Sequence, residues 1–529
     1  MSSRFLYGLQ QALFGREDEI SLKVTPRIAG GMAPDPYRAA IALVRSAEDF
    51  FPSKYTKKGV AQSALFLPWL KLYETNAYVE TASQIATTPA ALYDLVRRGQ
   101  QIVVFLARNY SNESNGQWTL SAFNSVSDRQ GARAARSGMH MNYLVSRALY
   151  QKLRLRRNAR KELTYEQRVW SSWLALAPFL VGAGKIGGDL KNTHTGFQLT
   201  ERADFIVENV NALLHERDEP HADSTRFARL HVPNREGNRS YWSICFDSAI
   251  SSVLLKALEV GALDLPWYIV RPDSTLRLIS KDIDCKRSVC IITREGRVTN
   301  EMPLILLAQF LDLLVEFSTT LPYQWGNYFI EEAREIVAHL RAGDWMGLPA
   351  TMVDWAIKRK FLQRYMAHGY EWSDPPIRLL DLFYHRLNDE RVWRMAGETC
   401  KVRDFEMHYA PFGDPSSEAF VAGGGPRDTR AYLMELCIRD SHLAHAVRIL
   451  DWSELEFAEE ENKLMRKLTL SDPYAYNAGH IKRIVHNDFN FSTRARRLRL
   501  CRTLSTRFWE CGSRLCAIAP CLSVACARF

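Results

Sequence analysis

Polar and apolar residues alternate along Glu17-Asp18-Glu19-Ile20-Ser21-Leu22-Lys23-Val24. A period of two predicts a strand and places Glu17 and Glu19 on one face. A Gly/Pro-rich stretch over Ala29–Pro36 predicts a loop, after which the pattern turns helical through Asp49, with Ala40, Leu43 and Val44 in one stripe. Residues 70–82 read as a strand. Thr88-Pro89 opens a helix through Arg97, since Pro suits a first helical turn, and Gln101–Ala107 reads as a buried β-branched strand. Residues 111–138, rich in Ser, Arg and Gly, predict a long loop near a site. Strands are expected at 197–208 and 226–233, flanking a loop at Arg217–Asp223, with helices over 242–260 and 303–365. The run Gly423-Gly424-Gly425-Pro426 breaks the chain before a helix near Asp428, and Ala446–His486 reads as a small separate unit. Strands gather early and helices late, so the fold class is α+β rather than regular βαβ.

Composition narrows the function. The chain has 529 residues, 47% of them hydrophobic, enough for a large core and for two to four domains by length. The formal charge of +10 would point to a nucleic-acid partner, but the stretch from Arg494 onward holds eight arginines and one acid, Glu510. The body is therefore close to neutral, and no nucleic-acid partner is expected. The longest apolar stretch, near Trp173–Ala183, is too short to span a bilayer, so no membrane is expected either. Ten cysteines include no Cys-x-x-Cys pair, and the amino terminus has no signal-peptide pattern; a reduced, cytoplasmic setting follows. The basic, Cys-rich tail at 488–529 is expected to be poorly ordered, which rapid amide exchange across it would verify.

Several clusters could carry chemistry. Glu17 and Glu19 offer paired hard oxygens suited to Mg²⁺, although an acidic strand face is also commonly just solvated. The run Arg217-Asp218-Glu219-Pro220-His221-Ala222-Asp223 is either an internally salt-bridged turn or part of a phosphate cradle. Arg229 and His231 share a strand face nearby and could complete such a cradle. Gly182-Ala183-Gly184-Lys185 lacks the remaining residues of a Walker A loop. Zinc spacing and a Gly-x-Ser-x-Gly elbow are both missing.

Together these residues resemble the Pup ligase/depupylase family. The resemblance rests on Gly15-Arg16-Glu17-Asp18-Glu19, His140-Met141-Asn142-Tyr143-Leu144, the complete Arg217–Asp223 run, and Arg229-Leu230-His231-Val232 with Asn238. Gln198–Asp204, Asp354–Lys360 with Gln363-Arg364-Tyr365, Asp428–Ala431 and Leu470–Tyr474 extend it over about residues 14–487. The 354–365 segment and the lack of room for a long insertion before residue 70 are closer to the ligase branch.

The resemblance implies a glutamine-synthetase-like antiparallel sheet packed with helices over 1–425, a small C-terminal domain over 426–487, and the tail. It implies ATP and Mg²⁺ as cofactors, with a Pup-like protein and lysine-bearing proteins as partners. In that family the γ-phosphate activates the C-terminal glutamate of Pup, and a lysine amine attacks the acyl phosphate to form an isopeptide bond. The implied metal ligands are Glu17, Glu19 and Glu80. The implied nucleotide contacts are Tyr73, His140, Asn142, Arg202, Arg217, His221, Arg229, His231 and Arg430. The family pattern Leu-Tyr-x-Asp reads Leu72-Tyr73-Glu74-Thr75 here, so the base position holds Thr75, and Glu74 is the adjacent carboxylate. Ile85 and Met141 stand where the family has acids, and Ser125-Val126 where it has an Asn pair. Three readings follow: a working Pup-type ligase, a catalytically weakened paralogue that binds nucleotide or Pup, and a related carboxylate–amine ligase with another substrate.

Overall fold

The alternation after Phe14 produces β1 (Phe14–Pro26), the strand around which the molecule is organised. The structure is a computed structural model that describes residues 11–56, 64–75, 77–125, 138–154, 163–188, 195–204, 221–347, 352–402, 426, 429–440, 443–444, 447–458 and 465–474. Along one edge, β1 pairs first with β7 (Met139–Ser146) and then with β6 (Trp118–Phe123); along the other it pairs with β5 (Tyr78–Ser83). The sheet continues outward from β7 to β10 (Phe227–Arg235), and from β5 through β4 (Leu70–Thr75), β3 (Ala64–Phe66) and β2 (Lys54–Tyr55). A parallel contact between Tyr55 and Ile449 then joins β14 (Val447–Asp451), followed by β15 (Glu454–Ala458) and β16 (Met465–Thr469). The segment expected as a small separate unit therefore shares the main sheet, while keeping its own core of Leu433, Met434, Leu450 and Leu455 against Phe66. The tail lies outside the described residues. Among the described residues, no helix is long and apolar enough to cross a membrane.

One face of β1 is closed by helices. Phe14 joins Met141, Tyr143 and Val145 in a core with the helices Tyr165–Leu176 and Tyr241–Val260. Ile20 and Leu22 pack instead against the helices Pro36–Phe50 and Pro89–Glu113. The helix Tyr241–Val260 is buried on nearly every side, as an apolar helix inside a large core should be.

Five expectations change. Residues 70–82 form a hairpin, β4 and β5, because the chain turns at Ala77 with φ 75° and no Gly or Pro marks the turn. The strand read over Gln101–Ala107 is the second half of a 25-residue helix. Its buried residues, Ile102, Val103, Leu106 and Ala107, follow a helical stripe, so packing overrode β-branched preference. The loop read over 111–138 contains β6, and the strand read over 197–208 reduces to β9 (Phe197–Gln198), paired with β8 (Lys185–Ile186), within its described part. Residues 303–365 divide into Pro303–Ser318, Trp325–Arg341 and Asp354–Met366.

Asp354 shows how the late helices lock onto this frame. Fully buried, its carboxylate accepts from the backbone N–H of Arg239 and of Ser240 and from the Tyr384 hydroxyl at 2.8 Å. It thereby fixes the entry to the helix Tyr241–Val260. Removing it leaves three buried donors without an acceptor, so Asp354→Ala should lower stability by about 3 kcal/mol. Asp354→Asn should lose less, as urea unfolding of the two variants would measure.

Candidate active site

Residues directly opposite on paired strands share a face. Glu17 stands opposite His140 and Ala82, Glu19 opposite Glu80, Glu80 opposite Tyr73, Tyr78 opposite Thr75, and Asn142 opposite His231. The face of the sheet turned away from the Phe14 core thus brings together Glu17, Glu19, Tyr73, Thr75, Glu80, His140, Asn142, Arg229 and His231. All but Thr75 are among the residues expected to bind metal or nucleotide.

The polar contacts are specific. Glu17 Oε1 accepts from Asn142 Nδ2 at 3.1 Å and from Arg229 Nη1 at 3.3 Å, and its Oε2 lies 3.4 Å from His140 Nδ1. Asn142 Oδ1 is 2.9 Å from His231 Nδ1, so that nitrogen carries the proton. Glu19 Oε2 accepts from the Gly138 N–H at 2.5 Å, and its Oε1 lies 3.8 Å from His140 Nε2. The His140 and His231 rings meet edge to face at 4.9 Å.

These neighbours drive the carboxyls apart. Burial alone would raise Glu17, but the hydrogen bond from His140 and the charges of His231 and Arg229 hold it at about 2. Glu80 goes the other way, to about 7: burial raises it and the charges of Glu19 and Glu17 add to that, against hydrogen bonds from Tyr73 and Thr75. Burial lowers His140, yet its contacts with Glu17 and Glu19 leave it above its ordinary value.

Three carboxylates on one wall offer the hard oxygen donors that Mg²⁺ takes. Crowding that pushes Glu80 to about 7 is the repulsion a divalent cation would relieve. Glu17 and Glu19, on one face with Glu80 beside them, offer the hard oxygen donors that Mg²⁺ would take together with water. Glu17, His140 and His231 also present ligand atoms within 4.8 Å of one another, a softer set in which imidazole replaces oxygen.

Next to this wall opens a cleft. Gly15, Ile85 and Leu144 line its floor, His221, Arg229 and Arg430 supply cations or polar rings, and Trp452 and Pro473 close it from the C-terminal strands. The closure is built by bonds to backbone carbonyls: Arg430 N–H donates to Pro473 O at 3.1 Å, Arg430 Nη1 to Leu470 O at 3.2 Å, and Asp223 N–H to Ser471 O at 2.6 Å. His221 adopts φ 45°, and burial together with Arg229 and Arg430 lowers its imidazole to about 4. Its ring is neutral at pH 7 and serves as a hydrogen-bonding group. Trp452 and Ser83 escaped the sequence reading, and Pro473 entered it only as part of the Leu470–Tyr474 resemblance. A large aromatic in the turn between β14 and β15 was the one signal available for Trp452.

Two expectations are corrected. Glu74 pairs with Val79 in an unbroken register, lies on the core face and is 2% exposed, so it cannot reach the wall that holds Thr75. Met141 also lies on the core face, packed among apolar side chains, so this position takes no ligand away from the wall. Ser125 is buried and its Oγ donates to Glu201. Arg202 stands beside Gly138 with Nη2 donating to Pro233 O at 2.7 Å, at the end of the wall away from the cleft. Arg217 lies outside the described residues.

Comparisons with known proteins agree with this geometry. The Pup-ligase protein family matches residues 47–456, more than three quarters of the chain. A Pup–protein ligase of Corynebacterium kroppenstedtii is 25% identical over 484 residues, covering 88% of this chain and 94% of the relative. A depupylase of Acidothermus cellulolyticus is 25% identical over 470 residues, covering 84% and 86%. The structure of Pup in complex with its ligase PafA superimposes with a TM-score of 0.72 at 19% identity, covering 90% of this chain and 92% of that one. PafA in complex with ADP superimposes with a TM-score of 0.64, also at 19% identity, covering 80% and 90%. These likenesses establish the α+β fold of that ligase.

The Glu17 environment sets a pH dependence. Its folded value, about 2, lies below its ordinary 4.5, so in metal-free protein its contribution to stability is complete above about pH 4.5 and is lost as pH falls toward 2. Glu17→Gln should therefore be less stable than the parent at pH 6, with the difference shrinking below pH 4.5 in urea titrations. In the same variant the His140 pKa should drop, since burial remains while its main partner is gone; NMR titration of the ring would follow it.

Proposed function

The chain belongs to the Pup-ligase protein family, and on that footing we propose that it forms an isopeptide bond between the C-terminal glutamate of a Pup-like protein and lysines of other proteins, driven by ATP. The observation that carries this reading is the wall of Glu17, Glu19 and Glu80 beside a cleft that is apolar on one side and cationic on the other. Ile85 and Trp452 suit the flat face of a nucleotide base, and Arg229, Arg430 and His221 suit its phosphates. On this reading the phosphate chain runs along β1 from the cleft toward Glu17 and Glu19. Mg-ATP, when bound, supplies the phosphoryl group that activates the glutamyl carboxylate. The protein's residues position the reactants and neutralise charge. The reading places the reaction in the cytoplasm.

A lysine amine must lose a proton to attack, and the family's base position holds Thr75. Glu74 faces away, and the carboxylate hydrogen-bonded to Thr75 is Glu80. We assign the cation to Glu17 and Glu19 with water, and the amine proton to Glu80. This removes two supports of the binding-only alternative: Met141 subtracts no ligand from the wall, and a carboxylate remains beside Thr75.

Purified protein, Mg-ATP, a Pup-like protein ending in Glu and a lysine-bearing target should give a conjugate on a denaturing gel. Glu17→Ala should lower the rate by about 100-fold or more, and Glu74→Ala should leave conjugation intact in whatever fraction folds. Glu80→Gln should slow conjugation, and Thr75→Asp should restore part of the rate in the Glu80→Gln background. Nucleotide binding without any conjugate in the parent would overturn the ligase reading, and an unchanged rate in Glu80→Gln would overturn the base assignment.

A further inference from the structure

Two sequence stretches that the active site does not use, Gly182–Lys185 and Asp354–Lys360, meet beneath the sheet. Lys358 is fully buried there, with Nζ donating to Gly184 O at 2.6 Å, 3.0 Å from Asp381 Oδ1 and 2.7 Å from His385 Nε2. His385 Nδ1 lies 3.0 Å from Asn124 Oδ1. The Asn124 amide is oriented by donating to the carbonyls of Gly237 and Asn238, so His385 Nδ1 carries the proton. His385 Nε2 and Lys358 Nζ approach the same oxygen of Glu201, at 3.2 and 4.0 Å, and Ser125 Oγ donates to the other. A buried charge cluster of this kind is weak as a source of stability, because apolar side chains of the same volume often do as well. What it provides is a fixed direction for Glu201.

The backbone at Glu201 is fixed as well. Its N–H donates to Glu236 Oε2 at 3.1 Å, and the same oxygen accepts from the Ala183 N–H at 2.6 Å. The next residue is Arg202, whose N–H donates to Thr200 Oγ1 and whose guanidinium is held by Pro233 O. That guanidinium fills the space over Gly138, where an added Cβ would lie 2.5 Å from Nη2. Gly138 in turn donates to Glu19. An unbroken line of contacts therefore runs from Lys358, through Glu201 and Arg202, to the metal-binding wall.

We propose that Glu201, held by Ser125 and by the Lys358 ammonium that His385 orients, is a positioning residue that holds Arg202 at the terminal-phosphate end of the site. This rests on the nucleotide placement proposed above, with the base in the cleft and the phosphate chain running along β1 past Glu17. Arg202 then meets the γ-phosphate, which ADP lacks, and Glu201 acts on that contact without touching the nucleotide.

Calorimetric titration of Mg-ATP and Mg-ADP into the parent, Glu201→Gln, Arg202→Lys and the double variant tests this. Each single variant should weaken Mg-ATP by about tenfold and leave Mg-ADP within about twofold. The double variant should bind Mg-ATP no more weakly than Arg202→Lys alone. A residue that merely supported the fold would weaken both nucleotides. Equal losses for ATP and ADP, or additive losses in the double variant, would overturn the proposal, as would a parent that does not distinguish the two nucleotides. If Glu201→Gln does not fold, Ser125→Ala removes one clamp contact and goes through the same cycle with Arg202→Lys. Conjugation by the parent is scored apart. A non-conjugating parent whose ATP binding follows the cycle sinks the ligase reading and keeps the positioning role, and a conjugating parent with additive losses does the reverse.

Discussion

The pairing register of β1 is the constraint on which the rest of the structure depends. Because side chains alternate, a slip of one residue would carry Glu17 and Glu19 into the helical core and bring Arg16, Asp18 and Ile20 to the site. The register is held from below by Phe14, Ile20 and Leu22, each fully or almost fully buried, at about 1.5–3 kcal/mol of burial apiece. It is also held by a buried ion pair on that lower face, with Arg16 Nε 2.6 Å from Asp18 Oδ1. Arg16 Nη2 also reaches Glu236 O, so the lower face of β1 is tied to the loop that follows β10. Strand pairing on both edges then transmits the register of β1 to β5, β7 and β10, and so to every side chain on the wall.

The wall separates the behaviour of chemically identical groups. Glu17 sits among His140, His231 and Arg229 and is held at about 2; Glu80, one strand away, faces Glu19 and Glu17 and rises to about 7. Neighbours on β7 and β10 are cationic or polar, whereas those toward β4 are hydroxyls. A gradient across three strands therefore holds one carboxyl low and pushes its neighbour up in the metal-free protein.

The sequence reveals this wall more fully than the cleft beside it. Period-two alternation reveals Glu17 and Glu19, and the same rule places Arg229 with His231. Position 74 shows the limit of that rule. The alternation that puts Tyr73 on the wall puts Glu74 beneath it, and recruiting Glu74 as the base required a bulge that β4 does not have. Met141 follows the same logic on β7. The cleft depends on contacts between residues far apart in the chain, Arg430 with Leu470 and Pro473, and Asp223 with Ser471. Local pattern carries no trace of such contacts. Only the second half of the helix at Pro89–Glu113 reads as a strand, because its apolar stripe runs through a β-branched stretch, and burial against the sheet outweighs local preference there.

Gly138 joins the two halves of the structure. The backbone of this residue donates to Glu19 on the wall, while the place its side chain would occupy is filled by the Arg202 guanidinium. Any larger residue would have to displace the guanidinium, and with it the contact to Pro233 O that holds β10 against the Thr200–Arg202 segment. The glycine is therefore required by close approach rather than by turn geometry. It lets the Arg202 guanidinium lie against the backbone whose N–H donates to Glu19. The Thr200–Arg202 segment and the Glu19 carboxylate thus meet at one residue without a side chain.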